Sequence, residues 1–323
     1  MKSQISLLVV FLSSFISFSQ IGPNDDAVYL DSLNNIGTEE NFKFIRVVKD
    51  YTEEKELYDV SFYSRSGKIE RRATTTNKYF MAFEGPCVYY YENGNRKKME
   101  TYSDKIIYGK QFEWYENGAI KLESEVVYDK KTKKLTTKII HYWNTNNEQK
   151  VIDGEGEYEE IEVVPNSNIA KFSVKSSGKI KNYVKEGLWT GESENPKYNF
   201  YEQFENGKLI SGKRIDSSGV TISYNEVFQR PKPKNGIDDF YRFVGQNFNP
   251  PLVQGLKGVI LATFIVDKDG KPADIKIIRD LGYGTGAEAI RVIRKFDQWL
   301  PGLFKGEPVR VMYSLPINIQ SNY

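Results

Sequence analysis

One cysteine and one histidine in 323 residues leave little room for the commonest site chemistries. Cys87 has no partner for an internal disulfide, and a lone thiol in an oxidising compartment reads first as a small buried filler. Zinc sites built from several His or Cys ligands are excluded with one of each. A Ser-His-Asp arrangement would have to run through His141, and the chain has no nucleophile-elbow pattern. His141 sits in Ile139-Ile140-His141-Tyr142-Trp143, a strand-like run, so it reads as structural. An excess of one charge sign is missing too. Against 45 Lys plus Arg stand 43 Asp plus Glu, which leaves no basic footprint for nucleic acid. The acidic stretch from Asp153 to Glu162 places no second acid at a recognisable catalytic spacing, and it reads as a solvated face. No cofactor, no metal and no enzymatic activity are expected.

Long apolar runs are absent except at the start. Lys2 supplies a basic residue, Ile5 to Phe18 an apolar core, and Ser17 and Ser19 the small residues a signal peptidase needs. Residues 1–19 therefore read as a signal peptide cut before Gln20. A membrane span needs roughly 20 apolar residues, and this run is shorter and followed at once by Pro23, Asn24, Asp25 and Asp26. The expected location is the periplasm or cell envelope, with anchoring in the inner membrane if the segment is retained.

What the chain has in plenty is aromatic residues, 22 Tyr and 19 Phe, which favour pleated surfaces. Sliding the sequence along itself aligns Gly85–Gly94 with Gly109–Gly118, each ending Tyr-Glu-Asn-Gly. A third copy ends at Gly207, and weaker ones contain Gly67, Gly178 and Tyr142–Asn147, where Asn stands for Gly. An aromatic strand, a reversal at a glycine free to take positive φ, and a polar returning strand make a β-hairpin. One hairpin is marginal alone, so residues 20–228 are expected to stack hairpins into a sheet. Gly67, Gly94, Gly118 and Gly207 mark the turns. Alternation puts Val88 with Tyr90 and Phe112 with Trp114 on one face, taken as the core side, with Tyr91 and Tyr115 on the other. These Tyr-Glu-Asn-Gly units resemble the bacterial variant of the MORN repeat, which implies an interaction scaffold without shared chemistry.

Residues 229–236 break the aromatic rhythm, and Arg230-Pro231-Lys232-Pro233-Lys234 reads as a short extended linker. Beyond it, residues 237–323 read as an α/β domain. Ile237, Phe240, Tyr241, Val244 and Phe248 have helical spacing. Gly258 to Val266 is apolar on both alternating faces and reads as a central strand covered on both sides. Ala273 to Arg279 returns after an Asp-Gly turn. Thr285 and Glu288 suggest a capping box for a helix that buries Ala289, Ile290, Ile293, Phe296 and Leu300. Pro308 to Ile319 alternates as a strand with one buried face, and Pro316 suggests an edge position. The expected fold class is α+β: an all-β hairpin sheet, then a domain with helices and a small antiparallel three-stranded sheet.

That order, with Gly258-Val259 through Asp267, Asp269-Gly270, Ala287 to Ile293, Trp299-Leu300-Pro301, Gly306, Pro308-Val309 and Leu315-Pro316-Ile317, resembles the TonB C-terminal domain. The resemblance implies strand addition, with an extended segment of an outer-membrane transporter laid along the last strand. Carried onto this chain, the partner-binding residues are Arg310, Val311, Met312, Tyr313, Ser314, Leu315, Pro316 and Ile317. Association with the membrane would then run through the partner. An energy-transducing TonB has a retained anchor and a long Pro-rich spacer, whereas here that piece is short and the start looks cleavable. The expected function is thus an envelope binding protein. The alternatives are a true energy transducer anchored beside its motor proteins, or an uncommon carboxylate enzyme.

Overall fold

The structure, a computed structural model, describes residues 21–31, 36–52, 54–77, 81–129, 134–163 and 173–320. The expected signal peptide, residues 1–19, lies outside them. Two compact units divide the chain: one runs to Gly156 and includes Asn182–Val184, the other takes Glu157–Lys181 and everything from Lys185. No helix among the described residues is long and apolar enough to cross a membrane.

Strands account for 58% and helices for 8%, so the fold is mostly β and the expected α+β class is wrong. Only two stretches, α1 (Ile237–Asn247) and α2 (Thr285–Lys295), carry helical periodicity long enough to fold as helices. Segments that looked like linker and closing loop add further short strands. Phe228–Gln229 pairs with Gly302–Phe304, Lys232–Pro233 with Trp299–Leu300, and Gly302–Phe304 also with Glu307–Val309. Proline tolerates such pairing where its missing N–H falls on an unpaired side.

In the first unit each strand pairs antiparallel with the next. Successive hairpins join Tyr58–Ser64 to Ile69–Thr75, Phe83–Tyr90 to Arg96–Ser103, and Gly109–Trp114 to Ile120–Asp129. Their turns share one wiring. The Tyr91 amide donates to the Asn95 carbonyl and the Gly94 amide to the Tyr91 carbonyl, at 2.8 and 2.9 Å; Tyr115 and Gly118 repeat both bonds. The Asn93 and Asn117 side chains accept from the amides two residues on, at 2.9 Å each. Gly67, Gly94 and Gly118 have φ of 79°, 88° and 88°, and Asn147 takes the same place at 60°. The Gly94 and Gly118 turns also tie to the next hairpin: the Tyr91 hydroxyl donates to the Trp114 carbonyl and the Tyr115 hydroxyl to the Trp143 carbonyl, both at 2.8 Å.

Nothing lies within 4 Å of a Cβ built on Gly94, so the penalty for replacing it is one of backbone conformation alone. Gly94→Val is expected to lower stability by at least about 1 kcal/mol, and Gly94→Asn by distinctly less, since Asn tolerates positive φ. Urea unfolding midpoints check this. Equal midpoints for Gly94→Val and the parent would show that the turn tolerates any residue.

The buried face is not the expected one. Cys87 is fully buried beside Phe62, Phe83 and Tyr58, and Gln111 and Ser124 are buried, while Val88, Tyr90, Phe112 and Trp114 stay half-exposed. The inner face is closed by polar pairing as much as by rings. Tyr89 and Tyr102 donate to the buried Glu100 carboxylate at 3.2 and 3.1 Å, and Lys98 pairs with it at 2.8 Å. Burial and the Glu100 charge push the Tyr102 hydroxyl up to about 12. Burial likewise pushes the Cys87 thiol above its ordinary value, which keeps it a poor nucleophile.

The second unit corrects another reading. Gly178 forms no turn; it lies inside the strand Ser173–Lys181, where a Cβ would stand 2.5 Å from the Trp189 ring. Asn206 and Gly207 both take positive φ, 49° and 77°, in a two-residue turn with Glu205 opposite Lys208. This differs from the three-residue wiring in the first unit. On the strand Lys197–Glu205 the residues Tyr198, Phe200, Glu202 and Phe204 are all buried. Lys305 enters among them from the tip of the hairpin Gly302–Val309, at the turn Lys305-Gly306. Its ammonium meets the Glu202 carboxylate at 2.5 Å with both side chains 2% exposed, and lies 3.8 Å from the Phe200 ring centroid. Tyr224 donates to the same carboxylate at 2.8 Å. Arg214 pairs with Glu307 and stacks over Tyr198 at 3.8 Å, while Phe304 packs with Val174, Tyr198 and Phe200.

The end domain's core lies between the helices and one face of a small sheet. Phe240, Val244, Ala289, Val292, Ile293, Phe296 and Trp299 cover Ile260, Ala262, Phe264 and Val266. The strand Lys257–Val266 is central; on its other side Ile265 is buried while Val259, Leu261 and Thr263 are half-buried, so that face is covered only in part. No capping box forms. Gly284 is the N-cap and Thr285 the first helical residue, one place too late; its hydroxyl bonds Asp280 and the Gly282 carbonyl. The Glu288 carboxylate instead takes Arg291 and the Asn249 amide. Ile237 and Tyr241 on α1 are exposed at 38% and 47%, and Leu300, placed beyond the end of α2 in a short strand, at 39%.

Candidate functional site

Val311–Gln320 is the last strand of the three-stranded sheet, whose order is Pro272–Arg279, Lys257–Val266, Val311–Gln320. It pairs antiparallel with the central strand in an unbroken register from Val311↔Val266 to Gln320↔Lys257. One long edge of it has no pairing partner among the described residues. Leu315, Ile317 and Ile319 are buried on the helix side, Val311 and Tyr313 are half-buried, and Met312, Ser314, Pro316, Asn318 and Gln320 are exposed.

Pro316 settles which backbone groups face the open edge. In an antiparallel strand the N–H and C=O of one residue point to the same side, and neighbours alternate. Pro has no N–H to give the ladder, so its position belongs to the unpaired side. Met312, Ser314, Asn318 and Gln320 share its parity and turn their amides outward. Val311, Tyr313, Leu315, Ile317 and Ile319 bond the central strand. The open edge thus offers donors at 312, 314, 318 and 320, with a gap at 316.

Arg310 falls outside the strand. Pro308 and Val309 belong to the short hairpin, and the chain breaks direction at Arg310, whose guanidinium meets Asp267 at 3.5 Å and Asp274 at 3.1 Å. Those carboxylates hold the entry to the strand in place. Tyr313 packs 4.8 Å from Trp299 and 5.5 Å from Phe264, and Trp299 reaches Phe240 at 5.1 Å. Burial and the neighbouring Tyr241 push the Tyr313 hydroxyl above its ordinary value, with Arg230 pulling the other way. The four turn glycines lie elsewhere, at hairpin tips in both units, and are not gathered into a site.

The family model for the Gram-negative bacterial TonB protein C-terminal matches residues 253–319. The match takes in the central strand, α2 and nearly all of the edge strand. It supports the TonB C-terminal family for this segment, and with it a TonB-like protein of the Gram-negative cell envelope. It covers well under half of the chain and none of the hairpins of the first unit. No curated protein and no solved structure matches the chain.

Proposed function

We propose that this protein is a non-enzymatic envelope adaptor whose end domain binds an extended segment of an outer-membrane transporter by strand addition. The open edge of Val311–Gln320, with its outward donors at alternate residues, carries the reading. Unpaired strand edges take up partner strands because their backbone groups lack bonds. The hairpin units, which have the character of MORN-type repeats, act as a scaffold that carries this domain. The residues 1–19 direct export to the periplasm, and contact with the membrane runs through the partner.

A photo-crosslinking residue at Met312 or Asn318, both exposed beside the edge, should capture an outer-membrane protein in intact cells through a segment without regular structure. The same residue at Lys110, exposed on the first unit, should not. Equal capture from both positions would contradict the proposal. Capture of inner-membrane motor subunits in their place would favour an anchored energy transducer.

A further inference from the structure

Arg230-Pro231-Lys232-Pro233-Lys234 places a cation at every second residue, so in an extended chain the three cations share one side. The segment is held as such a strip. Lys232 and Pro233 pair with Leu300 and Trp299, the Lys234 amide donates to the Gln298 carbonyl at 2.8 Å, and both prolines are buried. Arg230, Lys232 and Lys234 are exposed, and none makes an ion pair among the described residues. The nearest acid in sequence that bonds at all, Asp239, is taken by Arg242 and Asn235.

The strip runs past the start of the open edge. Gly302 is wedged between them: a Cβ there would stand 2.5 Å from Val311, 3.2 Å from the Gln229 carbonyl and 3.3 Å from the Pro231 ring. Arg310, the other cation at this end, is neutralised by Asp267 and Asp274. An added strand would therefore have its Val311 end close to Pro231, whose neighbours Arg230 and Lys232 are exposed cations without an ion pair among the described residues.

We infer that this strip is a second part of the partner site, selecting an extended peptide with acidic residues beside the segment that adds to the edge. The inference rests on the strand-addition reading. A single row of three cations matches one acidic peptide better than a lipid surface, which recruits clusters of about four to eight.

The probe is a synthetic library of twelve-residue peptides, a β-branched core flanked on either end by three variable residues drawn from Glu, Gln and Lys. The chain from Gln20 onward would be offered the library at low and high salt. Retained peptides should carry Glu at one end. The triple variant R230Q/K232Q/K234Q should hold them about tenfold more weakly, and high salt should do the same to the parent. Retention without charge preference, or an unchanged affinity of the triple variant, overturns the acidic strip and leaves strand addition standing. Retention equal in the parent and in Ser314→Pro overturns both readings. Loss of binding to phosphatidylglycerol vesicles in the triple variant, with no peptide preference, would assign the strip to lipid and also overturn it.

Discussion

Replacing Lys305 with alanine is expected to lower the stability of the second unit by about 3–5 kcal/mol, the range for removing one member of a buried ion pair. Glu202 would be left 2% exposed without its cation, with only the Tyr224 hydroxyl to bond it. The Phe200 ring would lose the ammonium above it as well. Glu202→Leu combined with Lys305→Met should recover most of the loss, because a matched apolar pair of similar volume needs no desolvation of charge. Urea unfolding of the parent and the two variants decides it. A change below about 1 kcal/mol for Lys305→Ala would show that water reaches the pair. The same contact bears on any fragment: a piece starting at Gly236 would lay bare Phe304 and Lys305, which the strands 173–224 cover.

The second large effect concerns the edge strand. Tyr313→Pro should destabilise the end domain by at least about 3 kcal/mol, from a lost ladder bond and the emptied space beside Trp299 and Phe264. Met312→Pro and Ser314→Pro should cost under about 1 kcal/mol, since both side chains are exposed and both amides point away from the ladder. Their parity is that of Pro316, which the native strand already tolerates. Circular dichroism melting separates the cases. A Ser314→Pro variant as damaged as Tyr313→Pro would mean the assignment of amide directions is reversed.

Features decided within a few residues were legible in the sequence; those decided by distant partners were not. Glu-Asn-Gly specifies its turn locally, through an Asn that bonds the returning amide and a residue that tolerates positive φ, and even Asn147 could be read as a stand-in. Gly178 looked the same on paper, yet it lies inside a strand, where its missing side chain leaves room for the Trp189 ring. The inner face was misjudged because Tyr89, Tyr102 and Lys98 close it around a carboxylate, which no alternation pattern announces. Lys305 sits at a turn tip, and its partner Glu202 stands 103 residues earlier. The edge strand was legible in outline, because Pro316 marks an unpaired side wherever it falls in a strand. Its true start was not, since Arg310 is fixed by Asp267 and Asp274 rather than by the alternation around it.

The most direct test of strand addition uses the segment captured from the Met312 or Asn318 crosslink, made as a peptide and titrated against the parent chain, Met312→Pro and Ser314→Pro. The two proline variants should remain folded and bind at least about tenfold more weakly, each having lost one backbone donor at the open edge. Folded variants that bind as tightly as the parent would contradict the account, since no partner strand could then be pairing along Val311–Gln320.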